Sequence, residues 1–134
     1  MTKKERLNEL YKNNSLNKED VYTMTHKNKD GSIKKTTIIT RSGIEKIQYI
    51  NKIDVVFEVI SKDVGNIIIK AYSKKGDLKM ETYGTASKLN CFQKFPVEIA
   101  EKRSLARVII KTMHLTNTLG QDEIDHQGKN VVNK

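Results

Sequence analysis

The feature that most constrains the fold is a pair of β-type runs on either side of a compact turn. Along residues 67–74, aliphatic residues alternate with Lys and Tyr, and residues 78–84 alternate in the same way. Lys75-Gly76-Asp77 between them has the composition of a tight turn. We therefore predict an antiparallel hairpin that turns Ile67, Ile69 and Ala71 toward the core.

Two further segments extend this hairpin toward the N-terminus. Residues 54–60 form a third strand by composition, which makes the sheet a three-stranded meander. Before it, the β-branched run 36–41 predicts another strand. Ser42 or Gly43 is then expected to cap a short helix over residues 44–50.

A long helix is predicted after the meander. Pro96 suits a first helical position, and Glu98 and Glu101 in the first turns suit the positive end of the helix dipole. We expect the helix to cover residues 96–115 and to place its apolar stripe on the sheet. The stripe consists of Ile99, Ala106, Ile109, Ile110 and Met113. The element order is β-α-β-β-β-α, an α+β class with an antiparallel meander packed on one long C-terminal helix.

The length of 134 residues and the distribution of apolar residues indicate one domain. We expect a polar N-terminal arm over residues 1–30, a single α+β domain over 31–116 and a flexible C-terminal tail over 117–134. The single cysteine, Cys91, excludes an intramolecular disulfide and suits a reducing compartment. No apolar run approaches the roughly 20 residues of a membrane span, and none follows the N-terminal lysines as in a secretory signal. The expected location is the cytoplasm, without a membrane partner.

The net charge of +9 favours a polyanionic partner. It arises from 25 Lys and Arg against 16 Asp and Glu, and none of the excess lies in the predicted tail. A lysine-rich proteome would produce the same bias without any function. We interpret the charge as favouring nucleic acid.

The sequence offers little for catalysis. Nothing in the sequence brings Cys91 together with His114 and a carboxylate as a nucleophilic site would require. The three histidines lie too far apart in sequence for the close spacing of a metal site. The glycines are isolated and form no phosphate-binding loop. We expect a protein that is not an enzyme and that needs no metal and no cofactor.

Two basic stripes are the candidate binding residues. The hairpin is predicted to present Lys70, Tyr72 and Lys74 on one face, with Lys79 and Tyr83 beside them and Lys75 at the tip. Lysines that neutralise phosphates and aromatic rings that stack on bases are what a single-strand groove needs. The second stripe lies on the long helix within an arc of about 80°, and it contains Arg103, Arg107, Lys111 and His114. An ordinary solvated surface is the alternative for both.

Two stretches resemble the phage-type single-strand DNA annealing recombinases, the group that includes the ERF, Red-beta and RecT families. The first is Thr40-Arg41-Ser42-Gly43-Ile44, which is similar to a basic entry motif before a short helix. The second runs from Glu81-Thr82-Tyr83-Gly84-Thr85-Ala86 to Ala100-Glu101-Lys102-Arg103-Ser104-Leu105-Ala106-Arg107. Ser104 stands where the group usually has Ala. The similarity covers about residues 36–116.

The resemblance implies homo-oligomeric rings or filaments that hold single-stranded DNA by its backbone in a continuous basic groove, without metal or nucleotide hydrolysis. Arg41, Arg103 and Arg107 are the positions that match the motifs. Their role, phosphate contact or bracing of the fold, stays open at the level of sequence.

Two alternatives remain. Residues 44–115 also have the α-β-β-β-α order of a double-stranded RNA-binding domain, although Glu98 and Glu101 replace the basic residues expected at that helix start. The other alternative is a small non-enzymatic protein that binds a phage or host factor.

Overall fold

The computed structural model describes residues 5, 8, 9, 12–63, 65–87, 96–115 and 118–124. The elements whose bounds are described are six strands, two helices and one short 3-10 turn. The elements are β1 (Val21–Lys27), β2 (Ile33–Ile39), α1 (Arg41–Ile50), β3 (Asp54–Asp63), β4 (Asn66–Lys75), β5 (Leu78–Ser87), α2 (Pro96–Thr112), β6 (Thr118–Gly120) and the 3-10 turn (Gln121–Glu123).

The strands form two three-stranded sheets. In one, the order is β3-β4-β5, and both pairs are antiparallel. In the other, the order is β1-β2-β6, with β1 antiparallel and β6 parallel to β2. The predicted α+β class, the meander and the long helix packed on it are confirmed.

The alternation in β4 determines which face of the meander packs against α2. Ile67, Ile69 and Ala71 are at most 4% exposed, as predicted, because a period of two puts every second side chain on the same face. Ile109 of α2 is fully buried in the main core. At the end of the helix, the hydroxyls of Ser73 and Thr112 share a buried 2.7 Å hydrogen bond.

Small residues let α2 lie very close to β5. Gly84 faces the helix backbone, and a Cβ atom built on it would collide with the carbonyl oxygen of Ala100 and the amide nitrogen of Ser104. The Thr82 hydroxyl donates to the Ser104 carbonyl at 3.0 Å. The backbone of β5 is therefore in direct contact with the backbone of α2 at Gly84.

Helix α1 begins earlier than the sequence predicts. Thr40 is the N-cap, and its Oγ1 accepts a hydrogen bond from the Gly43 amide at 3.2 Å. Ser42 instead donates to the buried carboxylate of Asp20 at 2.8 Å. The prediction of Ser42 or Gly43 as the cap was wrong, because Thr40 stands three residues before a free amide and supplies the same kind of hydroxyl.

Two strands lie outside the predicted domain boundaries. Strand β1 lies in the segment expected to be a polar arm, and β6 with the 3-10 turn lies in the expected tail. The apolar pattern did not indicate either strand, because most of β1 is solvent-exposed and β6 has three residues. In the tail, Glu123 is almost completely buried.

Some predictions fall on parts of the chain that the structure leaves undescribed. Cys91, its neighbours in the connection before α2, and residues 125–134 of the predicted tail lie outside the described residues. Among the described helices, none combines the length and the apolar character needed to cross a membrane.

Candidate nucleic-acid interface

The face of the meander opposite α2 is open. Because the pairs Lys70↔Tyr83 and Tyr72↔Glu81 lie side by side, the aromatic and charged residues of β4 and β5 are interleaved there. Strand β3 adds Val56 beside Tyr72 and Glu58 beside Lys70. We call this surface the open face; it consists of Asp54, Val56, Glu58, Ile68, Lys70, Tyr72, Lys74, Lys79, Glu81, Tyr83 and Thr85.

Lys70 lies between two tyrosine rings at the centre of the open face. Its Nζ is 4.9 Å from the ring centre of Tyr72 and 5.4 Å from that of Tyr83, and 3.3 Å from Oε2 of Glu81. Desolvation lowers the pKa of Lys70, but the two phenol oxygens and the carboxylate outweigh it, so the net shift is upward. The ammonium group therefore lies within cation–π distance of both rings and beside a carboxylate.

Tyr72 is fixed by a second contact. Its hydroxyl donates to Oε1 of Glu58 at 2.7 Å, and this hydrogen bond to the carboxylate raises the pKa of Tyr72. Tyr83 is 46% exposed and Val56 is 65% exposed. The open face therefore combines two positioned phenol rings with aliphatic surface in contact with solvent.

The charge of the open face differs from the basic groove that the sequence suggested. Lys70, Lys74 and Lys79 share it with three carboxylates, those of Asp54, Glu58 and Glu81. Glu81 forms an ion pair with Lys70. The face as a whole is near neutral; Lys74 and Lys79, which form no ion pair with the described residues, lie toward the β4–β5 turn.

A shallow cavity of about 410 Å³ lies on the open face around Tyr72. Val56, Lys74, Lys79 and Met80 contribute to its walls. This volume falls within the range of about 300–1,000 Å³ that is typical of small-molecule sites.

The three motif arginines lie elsewhere. They converge on the 3-10 turn: Arg41 pairs with the Asp122 carboxylate, Arg103 donates from Nε to the Asp122 carbonyl at 2.6 Å, and Arg107 donates from Nε to Oε1 of Glu123 at 3.2 Å. Burial raises the pKa of Glu123 despite the nearby arginines. The cluster fastens the segment after β6 to α1 and α2.

Arg103 is only 3% exposed, and its Nη1 also donates to the Thr85 carbonyl at 2.7 Å. Of the two roles left open by the sequence, the geometry assigns it to bracing the fold. The predicted basic stripe on α2 is therefore interrupted. Arg41 and Arg107 are partly exposed at 48% and 39% but are held by carboxylates.

Lys111 and the turn lysines occupy the edge and end of the meander. Lys111 reaches from α2 to the Glu81 carbonyl at 3.3 Å, at the β5 edge. Lys74, Lys75 and Lys79 are exposed around the β4–β5 turn, with no ion pair to the described parts of the chain. The structure thus brings together Lys70, Tyr72, Lys74, Lys75 and Lys79, with Lys111 at the border, and separates them from Arg41, Arg103 and Arg107.

One basic surface was missed by the sequence analysis. The β1–β2 hairpin carries four lysines between residues 27 and 35, in a segment divided between the predicted polar arm and the predicted domain. The density of four lysines in these nine residues was the available signal. No group of three or more metal-ligating side chains occurs among the residues that the structure describes.

Comparison with known proteins gives no relative: no family model, no curated protein and no solved structure matches the chain.

Proposed function

We propose that this protein binds single-stranded nucleic acid, preferentially DNA, on the open face of the β3-β4-β5 sheet. The observation that carries the proposal is the Tyr72–Lys70–Tyr83 cluster, which presents two positioned rings beside a cation on a solvent-facing sheet. Aromatic rings on an open surface stack on bases of any sequence, and lysines contact the phosphates between them.

Stacking, rather than net charge, is expected to supply most of the affinity. Lys70 is paired and the face carries as many carboxylates as lysines, so only the lysines at the turn end are available for phosphate. Three such contacts predict a slope of about −2 for log affinity against log salt, at about −0.7 per phosphate contact on a single strand.

The test is the affinity of a fluorescent 20-nucleotide oligothymidine for Tyr72→Ala and Tyr83→Ala, measured by anisotropy. Loss of a stacked base costs about 1–3 kcal/mol, so each substitution should weaken binding by about 5- to 150-fold. Tyr83→Phe keeps the ring and should bind as the parent does.

Tyr49→Ala is the matched control. Tyr49 is 84% exposed on α1, away from the open face, and its loss should leave the affinity unchanged. The proposal would be refuted if Tyr49→Ala weakened oligonucleotide binding as much as Tyr83→Ala does. It would also be refuted if folded Tyr72→Ala and Tyr83→Ala proteins bound the oligonucleotide as tightly as the parent.

We extend the proposal to strand annealing by a homo-oligomer in the cytoplasm, in line with the resemblance to the annealing recombinases. It is supported by the β3 edge, where Val56, Val59 and Ile60 are each at least 49% exposed. A neighbouring subunit that covered this edge would continue the open face from one subunit to the next. Sedimentation velocity with and without the oligonucleotide, and annealing of complementary strands, test the extension; a monomer in both states would contradict it.

A duplex RNA-binding domain remains the second candidate, because α1-β3-β4-β5-α2 follows its element order. The exposed Glu98 in the first turn of α2 disfavours it, since a carboxylate there repels the phosphates of a duplex. Preference for duplex RNA over oligothymidine in the same anisotropy assay would favour this candidate.

A further inference from the structure

The β1–β2 hairpin projects from the molecule as a basic ribbon. All eleven residues from Thr25 to Lys35 are exposed, whereas the base of the same hairpin is anchored by Val21, Ile38 and Ile39 in the core. Four lysines and one aspartate give the exposed part a charge of +3 with His26 neutral. These lysines are Lys27, Lys29, Lys34 and Lys35, and none has an ion pair with the described residues.

The ribbon has a defined tip. Asp30 accepts hydrogen bonds from the amide and the hydroxyl of Ser32 at 2.9 and 2.6 Å, and the Ser32 side chain in turn accepts from the Asn28 amide group at 2.9 Å. Gly31 adopts a positive φ of 91° and donates to the Asn28 carbonyl. The one carboxylate of the ribbon is therefore used to close the turn, and Lys29 is held at its apex.

The lysines lie on both sides of the ribbon. The pair Thr25↔Lys35 and the pair Lys27↔Ile33 lie on one side, and the pair His26↔Lys34 lies on the other. A flat polyanionic surface would contact only one of these sides. A groove with a row of phosphates on each wall would contact both.

We propose that the β1–β2 hairpin inserts into the major groove of duplex DNA. That groove is about 12 Å wide and 8.5 Å deep and admits a two-stranded ribbon. The exposed ladder between the Thr25↔Lys35 and Lys27↔Ile33 pairs rises about 7 Å, and with the turn it is long enough to reach the groove floor. The deep, narrow major groove of duplex RNA does not admit it.

This duplex site is separate from the open face and does not rest on its function. The ribbon lacks Phe, Tyr and Trp between Thr25 and Lys35, so it offers no ring comparable to Tyr72 or Tyr83 for stacking on unpaired bases. A single protein would then hold duplex and single strand on different surfaces.

The test compares two triple variants of equal charge by anisotropy on a 20-base-pair DNA duplex across a salt series. The first, Lys27→Gln/Lys34→Gln/Lys35→Gln, should weaken duplex binding about 10- to 100-fold near 0.1 M salt and flatten the log–log salt slope by about 3. The matched control, Lys12→Gln/Lys18→Gln/Lys62→Gln, removes three exposed lysines elsewhere and should leave duplex binding within about twofold of the parent.

Further probes separate the alternatives. The ribbon variant should keep its affinity for oligothymidine, and Tyr83→Ala should keep its affinity for the duplex. The proposals for the two surfaces can therefore be refuted independently of each other. The assignment to duplex DNA would be overturned if both triple variants lost the same affinity for the DNA duplex, or if neither lost any. It would also be overturned if the parent protein bound duplex RNA, polyglutamate or vesicles of anionic lipid as tightly as it binds duplex DNA. Because the substituted residues are exposed, an unchanged circular dichroism melt is expected for both variants.

Discussion

Gly84→Ala should lower the melting temperature by at least about 10 °C. The new Cβ would collide with two backbone atoms of α2, those of Ala100 and Ser104, and backbone cannot move aside as a flexible side chain can. Overpacking of a tight core costs about 1–3 kcal/mol, and more when backbone must shift, so we expect about 3 kcal/mol or more. For a chain of this size, that is a large part of the total stability. The measurement is thermal unfolding by circular dichroism.

Gly76→Ala is the control for this prediction. Gly76 lies in the β4–β5 turn with a φ of 61°, and a Cβ there meets nothing within 4 Å. Its substitution should cost only about 1–2 kcal/mol of left-handed backbone strain. A melting temperature of Gly84→Ala equal to or higher than that of Gly76→Ala would contradict the close contact of β5 with α2.

Arg103→Met should destabilise the protein by about 3 kcal/mol. It removes two hydrogen bonds from a buried guanidinium and leaves the carbonyls of Asp122 and Thr85 without these donors. It also removes a positive charge that favours ionised Glu123, so the penalty for burying that carboxylate increases. Urea unfolding at neutral pH measures the loss.

The double variant Arg103→Met/Glu123→Gln distinguishes bracing from binding. Neutralising Glu123 removes a buried carboxylate that has lost the favourable charge of Arg103 and keeps only Arg107 as a cationic partner, so it should restore part of the stability lost in the single variant. The folded fraction of either variant should bind oligothymidine as the parent does. A stable Arg103→Met protein that loses affinity for the oligonucleotide would instead place Arg103 in a binding surface.

The sequence predicted the meander well because its signals are local. The period of two in β4 identifies its buried face, and Lys75-Gly76-Asp77 identifies the turn without knowledge of distant contacts. The open-face cluster follows from the same alternation, since Lys70 and Tyr72 must lie opposite the Ile67–Ile69 side. What alternation cannot reveal is the charge on neighbouring strands, which depends on register and here adds Glu58 and Glu81.

The exposure of the basic stripe of α2 could not be predicted from local sequence. Arg103 and Arg107 do lie on adjacent turns of one helix, but whether that side meets solvent depends on a segment 15 to 20 residues further along the chain. Asp122 and Glu123 have no apolar periodicity around them, so nothing in the sequence predicted that they pack there. Strand β1 was missed for a related reason: its outer half is stabilised by pairing with β2 rather than by burial.

Titration of the ¹⁵N-labelled protein with oligothymidine, followed by amide chemical shifts, tests the central proposal most directly. We expect the largest shift changes at the residues of the open face, above all Lys70, Tyr72, Glu81 and Tyr83, with small changes along α2 and around the 3-10 turn. Shift changes concentrated at Arg41, Arg107 and the 3-10 turn, with the open face unaffected, would contradict the account.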